Sequence, residues 1–357
     1  MVTTSRQTPR LNWQLKPLKS GLLLCFFVAL LSIYVQDTGS PGQLQEWEFQ
    51  IDHPLIDPAS CGTADERIAR VIKWSKKHGA YIHPNVSVAS VKRGGRGLVA
   101  TGQIKHWEAI FRIPQKLQLN LETVKKDPAF KSVFKDVPEL QDGFSALSLY
   151  LIHEARNKTS FWRPFLCSLP SSVPLPMFWK AGDSRKKMFK SLPADQREYF
   201  TTVVSKMKDY VLRKYTILFR ALRKKHSSKF QDKVYSRATW AWASSLVLSR
   251  NWGRVMRIPA KDGPPTTQVM QTMAPAADLP NHNTFGLSAR FETGKSNTGA
   301  TLRLDADRDY AAGDEVYISY GSKCNAEYLA TYGFVPDHNS DVLCHRMETL
   351  KRKRRNG

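Results

Sequence analysis

Between Ala274 and Phe334 the sequence gathers side chains that could do chemistry. A polar knot, Asp278-Leu279-Pro280-Asn281-His282-Asn283, sets a carboxylate, two amides and an imidazole within six positions. Further on, Val316-Tyr317-Ile318-Ser319-Tyr320 reads as a strand delivering a phenol to its end, with Gly321 directly after it. A phenol donates a hydrogen bond at neutral pH without ionising. Asp278 with His282 could begin a metal site, yet no third ligand accompanies them. Taken singly, His282 and Tyr320 fit ordinary core positions; together they point to ligand chemistry.

Several elements must position these groups. From Asp65 to Gly79, apolar Ile68, Val71, Ile72 and Trp74 fall between charges as on a short amphipathic helix, with Gly79 just past its end. Val86, Val88 and Val91 suggest a strand, Lys92 to Gly97 (KRGGRG) a glycine-rich turn, and Leu98-Val99-Ala100 the returning strand. A further strand, Ala109 to Ile113, stops at Pro114, which cannot donate to a ladder. The turn lacks the G-x-G-x-x-G dinucleotide pattern. It reads as a hairpin loop whose glycines could also let the backbone approach a ligand.

Residues 120–255 read as mainly helical, punctuated by prolines. Ala146 to Arg156 is one helix. Phe200 to Lys225 is another, in which Val204, Met207, Val211, Tyr215, Leu218 and Leu222 share a face and Lys206, Lys208, Arg213, Lys214, Arg223, Lys224 and Lys225 make the other. That basic face reads as solvated, although basic helices also meet membranes or nucleic acid. Tyr235 to Arg250 reads as a buried helix that either sets the Arg250 cation at the mouth of a cleft or simply ends at the surface.

The chain of 357 residues can bury a sizeable core, and its excess of 54 Lys and Arg over 31 Asp and Glu draws it towards acidic partners. The five cysteines, Cys25, Cys61, Cys167, Cys324 and Cys344, contain no CxxC pair. Neither a zinc site nor a disulfide framework is expected, which fits a reducing compartment without excluding the secretory route. Residues 1–36 hold no acidic side chain, four basic ones and a 15-residue apolar run from Gly21 to Val35. This segment reads as an uncleaved signal anchor, a cleaved signal or organelle-targeting peptide, or a buried helix of the fold. Residues 37–64 follow as a linker, and residues 341–357 as a basic, disordered tail. Asn85-Val86-Ser87 and Asn157-Lys158-Thr159 are formal N-glycosylation acceptors, a triplet that also arises by chance.

In this order, GRGLVATGQI, SFWRPFLCSLPSSVPLPMFW, WAWASSLVLSR, DLPNHN and GDEVYISYGSKCNAEYLATYGF resemble the SET-domain protein methyltransferases, in the subgroup of the Rubisco large-subunit lysine methyltransferases and the actin-histidine methyltransferase. The resemblance covers roughly residues 65–340. It implies an α+β fold of small curved sheets, a helical insertion at about 120–255, and a C-terminal pseudoknot involving Asn281-His282 and Tyr332-Gly333-Phe334.

It also implies methyl transfer from S-adenosyl-L-methionine to a side-chain nitrogen. The expected cofactor contacts are Gly95, Arg96 and Gly97 through the backbone, Glu108 beside the cofactor, Arg250 from the helix end, Asn281 on the cofactor's amino group, the Asn281 and His282 backbone at the adenine edge, and Phe334 packed on adenine. Tyr320 is the expected catalytic phenol. No metal and no dedicated general base are implied.

Two departures bear on substrate. Members of the subgroup continue past the YGF motif into a helical substrate-binding domain, whereas this chain has 23 residues after Phe334. Relative to the actin-histidine enzyme, Trp252 replaces a polar residue and Lys323 an arginine, which speaks for lysine in a non-histone protein rather than histidine. A catalytically silent binding module for an acidic partner is the alternative class. A monomer acting on a protein substrate is expected, with no nucleic-acid partner and with membrane association through residues 20–36. Localisation follows as a single-pass anchor or an organelle-targeted protein, plastid or secretory, with the cytoplasm as alternative.

Overall fold

A computed structural model of the chain describes residues 55–339, apart from 58, 92–94, 174, 180–185, 232, 259–265 and 294–299. The N-terminal apolar run, most of the 37–64 linker, part of the glycine-rich turn and the basic tail lie outside the described residues. Among the described residues no helix is long and apolar enough to cross a membrane.

Eleven short strands form three small sheets among the described residues: β1 (Tyr81–Ile82), β2 (Val86–Ser90), β3 (Arg96–Ala100), β4 (Ala109–Ile113), β5 (Leu119–Asn120), β6 (Trp252–Ile258), β7 (Thr266–Met273), β8 (Asn281–His282), β9 (Arg290–Thr293), β10 (Ala300–Asp305) and β11 (Glu315–Ile318). The sheet orders are β1-β4-β10-β9, β2-β3-β11-β8 and β5-β7-β6. Pairing is antiparallel except between β8 and β11, where Tyr317 faces Asn281 and Ile318 faces His282. Strand β4 stops at Pro114, which cannot donate to a ladder. The inward faces of Leu98, Ala100, Ile110, Phe111, Ile113, Leu302, Leu304, Val316 and Ile318 close one core.

Nine helices accompany the sheets among the described residues: α1 (Ala64–Lys77), α2 (Leu121–Lys126), α3 (Lys131–Asp136), α4 (Gly143–Arg156), α5 (Arg163–Ser168), α6 (Lys187–Lys190), α7 (Ala194–His226), α8 (Arg237–Arg250) and α9 (Asn325–Tyr332). Helix α1 starts on a capping box in which Thr63 and Glu66 satisfy each other's backbone N–H groups. Helices α4 and α8 are buried nearly all round, so neither carries a solvent stripe, and Phe144 meets Trp240 edge to face. Helix α7 lays Val211, Tyr215, Leu218, Phe219 and Leu222 on this second core. Its basic face is partly engaged: Lys214 pairs with Asp142 at 3.3 Å and the Arg223 guanidinium lies over Tyr215 and Phe219.

The helical insertion and the C-terminal helix meet directly. Tyr199 on α7 donates its hydroxyl to Glu327 Oε1 at 2.9 Å, and the Ala326 N–H donates to Gln196 Oε1 at 3.2 Å. Helix α9 stops at Gly333, whose φ of +79° is left-handed, a conformation in which a Cβ would be strained. The chain thereby returns Phe334 towards β8 and β11, and the His282 ring stacks on Tyr328 at 4.7 Å. This is the interleaving expected of the pseudoknot.

The expectation of no disulfide is overturned. Cys61, just ahead of α1, and Cys167, in α5, are bonded across 106 residues with Cα atoms 5.6 Å apart. Cys324 is likewise disulfide-bonded. Spacing along the chain carries no signal for such long-range pairs, which the fold alone brings together.

Candidate active site

A cavity of about 610 Å³ opens where α1, the segment after α5, the end of α8 and the β8/β11 pair converge. Its walls include Arg67, Arg96, Arg250, Asn281, Tyr320 and Phe334. Five residues expected from sequence thus line one space: Arg96, Arg250, Asn281, Tyr320 and Phe334.

Tyr320 lies two residues beyond β11. Its backbone N–H donates to His282 Nδ1 at 3.1 Å, and its hydroxyl donates to the Pro280 carbonyl oxygen at 3.0 Å. The polar knot therefore fixes both ends of the tyrosine. The ring touches His282, Tyr332 and Phe334 at centroid distances of 5.2, 4.9 and 6.4 Å. Burial pushes the phenol far above its ordinary range, against the opposing influence of nearby Arg250, so it stays protonated.

Arg250 ends α8 and extends into the cavity wall. Its Nη1 lies 2.8 Å from Asp278 Oδ2 and also donates to the Asp278 carbonyl oxygen at 3.3 Å. The Asp278 side chain is 7% exposed, so this is a largely desolvated pair anchoring the helix end to the polar knot. Asn281 donates through Nδ2 to the Arg96 carbonyl oxygen at 3.0 Å and to Glu315 Oε1 at 2.8 Å, tying β8 to β3 and β11.

Gly97 is buried against this junction rather than lining the cavity. A Cβ there would meet Glu315 Oε1 at 2.4 Å and Asn281 Nδ2 at 2.8 Å, so glycine is what lets β3 approach Asn281. Gly95 has φ +78° and open space where a Cβ would project, which makes it a turn residue. His282 packs its ring inside the aromatic cluster with Tyr328 and Phe334, and the cavity wall is formed by its neighbour Asn281.

Glu108 is not brought to the cavity. It is exposed, accepts the Lys105 N–H at 2.9 Å and pairs with His83 Nε2 at 3.4 Å. Trp107 before it has φ +70°, so the backbone reverses and the carboxylate caps its own turn.

Two polar residues of the cavity wall that the sequence did not single out are Asn251 and Thr331, and Tyr332, expected only in the pseudoknot, lines it as well. The Asn251 Oδ1 is buried without a hydrogen-bond partner among the described residues, while Nδ2 donates to the Val247 carbonyl. Thr331 Oγ1 is buried and likewise has no partner among the described residues. The signal for both was adjacency, one following Arg250 and the other preceding Tyr332. Trp252 and Lys323, which the sequence marked as departures from the family, also line the cavity. Burial lowers the Lys323 ammonium to about 8, opposed by Glu327. Its Nζ donates to the Tyr320 carbonyl. Among the described residues no three His, Cys, Asp or Glu side chains form a metal-holding group.

Comparison with known proteins agrees with this architecture. The SET domain family matches residues 95–321. Actin-histidine N-methyltransferase of Gallus gallus is 29% identical over 315 residues, covering 84% of this chain and 50% of that protein, and its Homo sapiens counterpart is 28% identical over 314 residues with the same coverage. The chain thus spans about half the length of the curated relatives it matches. Among solved structures, the SET domain of LSMT bound to lysine and AdoHcy superposes with a TM-score of 0.58 at 21% identity, over 75% of this chain and 57% of that one. Rubisco LSMT bound to AdoMet gives 0.55 at 20% identity, over 76% and 57%. On the matched span and the fold, the chain belongs to the SET domain family.

Proposed function

We propose that this chain is an S-adenosylmethionine-dependent protein methyltransferase acting on a side-chain nitrogen, with lysine as the acceptor. The observation that carries this reading is Tyr320, a protonated phenol held by Pro280 on the wall of a cavity that also presents Arg250 and Asn281. Solved relatives bound to AdoMet and AdoHcy support the cofactor class.

The cavity's donor set fits such a cofactor. Arg96 and Arg250 offer cations to a carboxylate, the buried unpaired Asn251 Oδ1 offers an acceptor to an ammonium, and Phe334 and Tyr332 offer aromatic faces to a purine. With Asn281 Nδ2 spent on Arg96 and Glu315, its Oδ1 is the atom left for a ligand amino group. When bound, S-adenosylmethionine supplies an electrophilic methyl carbon on a sulfonium.

The protein's share is orientation and desolvation. Tyr320 and its neighbours exclude water and hold the acceptor nitrogen, and good orientation alone is worth up to about 7–11 kcal/mol. A lysine must shed its proton before attack, and burial against Tyr320, Tyr332 and Trp252 disfavours the ammonium form. Trp252 has only an N–H to offer, so it cannot accept from the second ring nitrogen of a histidine substrate. A histidine acceptor is the second reading, favoured by the names of the curated relatives. Incubation of the full chain with labelled S-adenosylmethionine and proteome fractions, followed by mass spectrometry of the modified residue, decides between them. Methyl on lysine Nζ supports the first reading, methyl on an imidazole nitrogen the second, and no transfer sinks both.

A further inference from the structure

We propose that the folded domain matures in the oxidising lumen of the secretory route and carries an N-linked oligosaccharide on Asn157. Three independent observations converge. The Cys61–Cys167 bond joins two buried cysteines, 1% and 7% exposed, and Cys324 is disulfide-bonded as well. Disulfides of this buried, long-range kind persist in oxidising compartments and are rare where glutathione keeps thiols reduced. The sequence ahead of the domain carries four basic residues and the apolar run Gly21 to Val35, a pattern that signal anchors and secretory signal peptides share.

The third observation distinguishes the two acceptor triplets. Asn157 caps the C-terminus of α4 and is exposed, as are Lys158 and Thr159. Its Oδ1 accepts from the Thr159 N–H at 3.0 Å and from the Thr159 hydroxyl at 2.9 Å. The side chain is thus folded back on the residue two positions on, an Asx turn. Its amide nitrogen, the atom that takes the sugar, makes no hydrogen bond among the described residues. None of these three residues borders the catalytic cavity, so a glycan there leaves its mouth open.

Asn85 is the opposite case. It is half-buried, its Nδ2 donates to the Gln103 carbonyl at 3.0 Å, and a Cβ on Gly102 would lie 3.0 Å from the same amide. A glycan on that nitrogen would cost the turn its hydrogen bond.

The two modifications balance simply. The two thiols of Cys61 and Cys167 give up two protons and two electrons to a disulfide-exchange oxidant as the sulfur–sulfur bond forms. At Asn157, Nδ2 bonds to the anomeric carbon of a lipid-pyrophosphate-linked oligosaccharide. The carbon–oxygen bond to the phosphate breaks, the lipid pyrophosphate leaves with the electron pair, and one amide proton is lost.

The test is expression of the full chain in a eukaryotic secretory host, digestion with a peptide N-glycosidase, and non-reducing peptide mapping. The expected result is a mobility shift on digestion that is absent in Asn157→Gln and Thr159→Ala but retained in Thr159→Ser and Asn85→Gln, together with a linked Cys61–Cys167 peptide. A wild-type chain that does not shift, a shift that survives Asn157→Gln, or alkylatable thiols at Cys61 and Cys167 would overturn the proposal. Neither readout involves methyl transfer, so this outcome is separate from that of the enzymatic reading.

Discussion

The Tyr320 hydroxyl donates to the carbonyl oxygen of Pro280 at 3.0 Å, while the Tyr320 backbone N–H is held by His282 two residues further on. A strand end and a polar loop therefore define one another. Proline suits the acceptor position because it contributes a carbonyl but no competing N–H.

The junction of β3 with β8 depends on the missing side chain of Gly97. Gly97→Ala sets a Cβ within 2.4 Å of Glu315 Oε1 and 2.8 Å of Asn281 Nδ2, forcing the carboxamide away from Arg96. Cofactor affinity measured by calorimetry is expected to fall about tenfold or more, equivalent to ~1.4 kcal/mol. Asn281→Ala should weaken binding comparably, and unchanged affinity in both removes this junction from the site.

Arg250 and Asp278 hold the end of α8 to the polar knot. Asp278→Asn keeps the shape but removes the charge, leaving Arg250 without its partner. A loss of about 1–3 kcal/mol of stability is expected, less than for a fully buried pair because Arg250 is 30% exposed. Urea unfolding of the variant measures it.

The Cys61–Cys167 bond closes a long loop and ties α1 to α5, and cavity residues follow both cysteines: Ala64, Arg67 and Ile68 after one, Ser168 to Ser171 after the other. Paired Cys61→Ala and Cys167→Ala substitutions should cost about 2–5 kcal/mol in chemical denaturation. Reduction of the wild-type chain should reproduce the loss, and a variant as stable as wild type would show that the bond does not brace the domain.

Lys323 gives stability a pH signature. Its folded value of about 8 lies below the ordinary 10.5, with burial the cause. Between about 8 and 10.5 the unfolded chain binds the extra proton, so the Lys323 contribution to stability rises with pH in that window; below it both states are charged and the burial cost is fully present. Relative to Lys323→Met, the wild type should gain up to about 3 kcal/mol from pH 8 towards 10.5. Comparing the two chains cancels the tyrosines, whose buried phenols act in the opposite sense above pH 10.

Much of this was legible in the sequence where a local rule applies. The strand Ala109 to Ile113 ends at Pro114 as expected, and the periodicity of α7 marks the face that packs, because both signals are written in neighbouring residues. The polar knot and the strand-end tyrosine likewise mark the cavity. What escaped depends on distant chain segments meeting. The disulfide spans 106 residues, Glu108 turns away because Trp107 reverses the backbone, and Asn251 earns its place only through where α8 ends. The packing of the His282 ring in the aromatic cluster behind Tyr320 is likewise a product of distant segments meeting, since Tyr328 and Phe334 come from the end of the chain.

The most direct measurement is methyl transfer by the full chain and by Tyr320→Phe, each assayed with labelled S-adenosylmethionine and the responsive proteome fraction, beside calorimetric cofactor binding. Losing only the hydroxyl should lower turnover by at least about 100-fold, ~2.7 kcal/mol, while cofactor affinity stays within about threefold. Transfer by Tyr320→Phe at the wild-type rate, or a wild-type chain that binds the cofactor and methylates nothing, would contradict a catalytic role for this phenol.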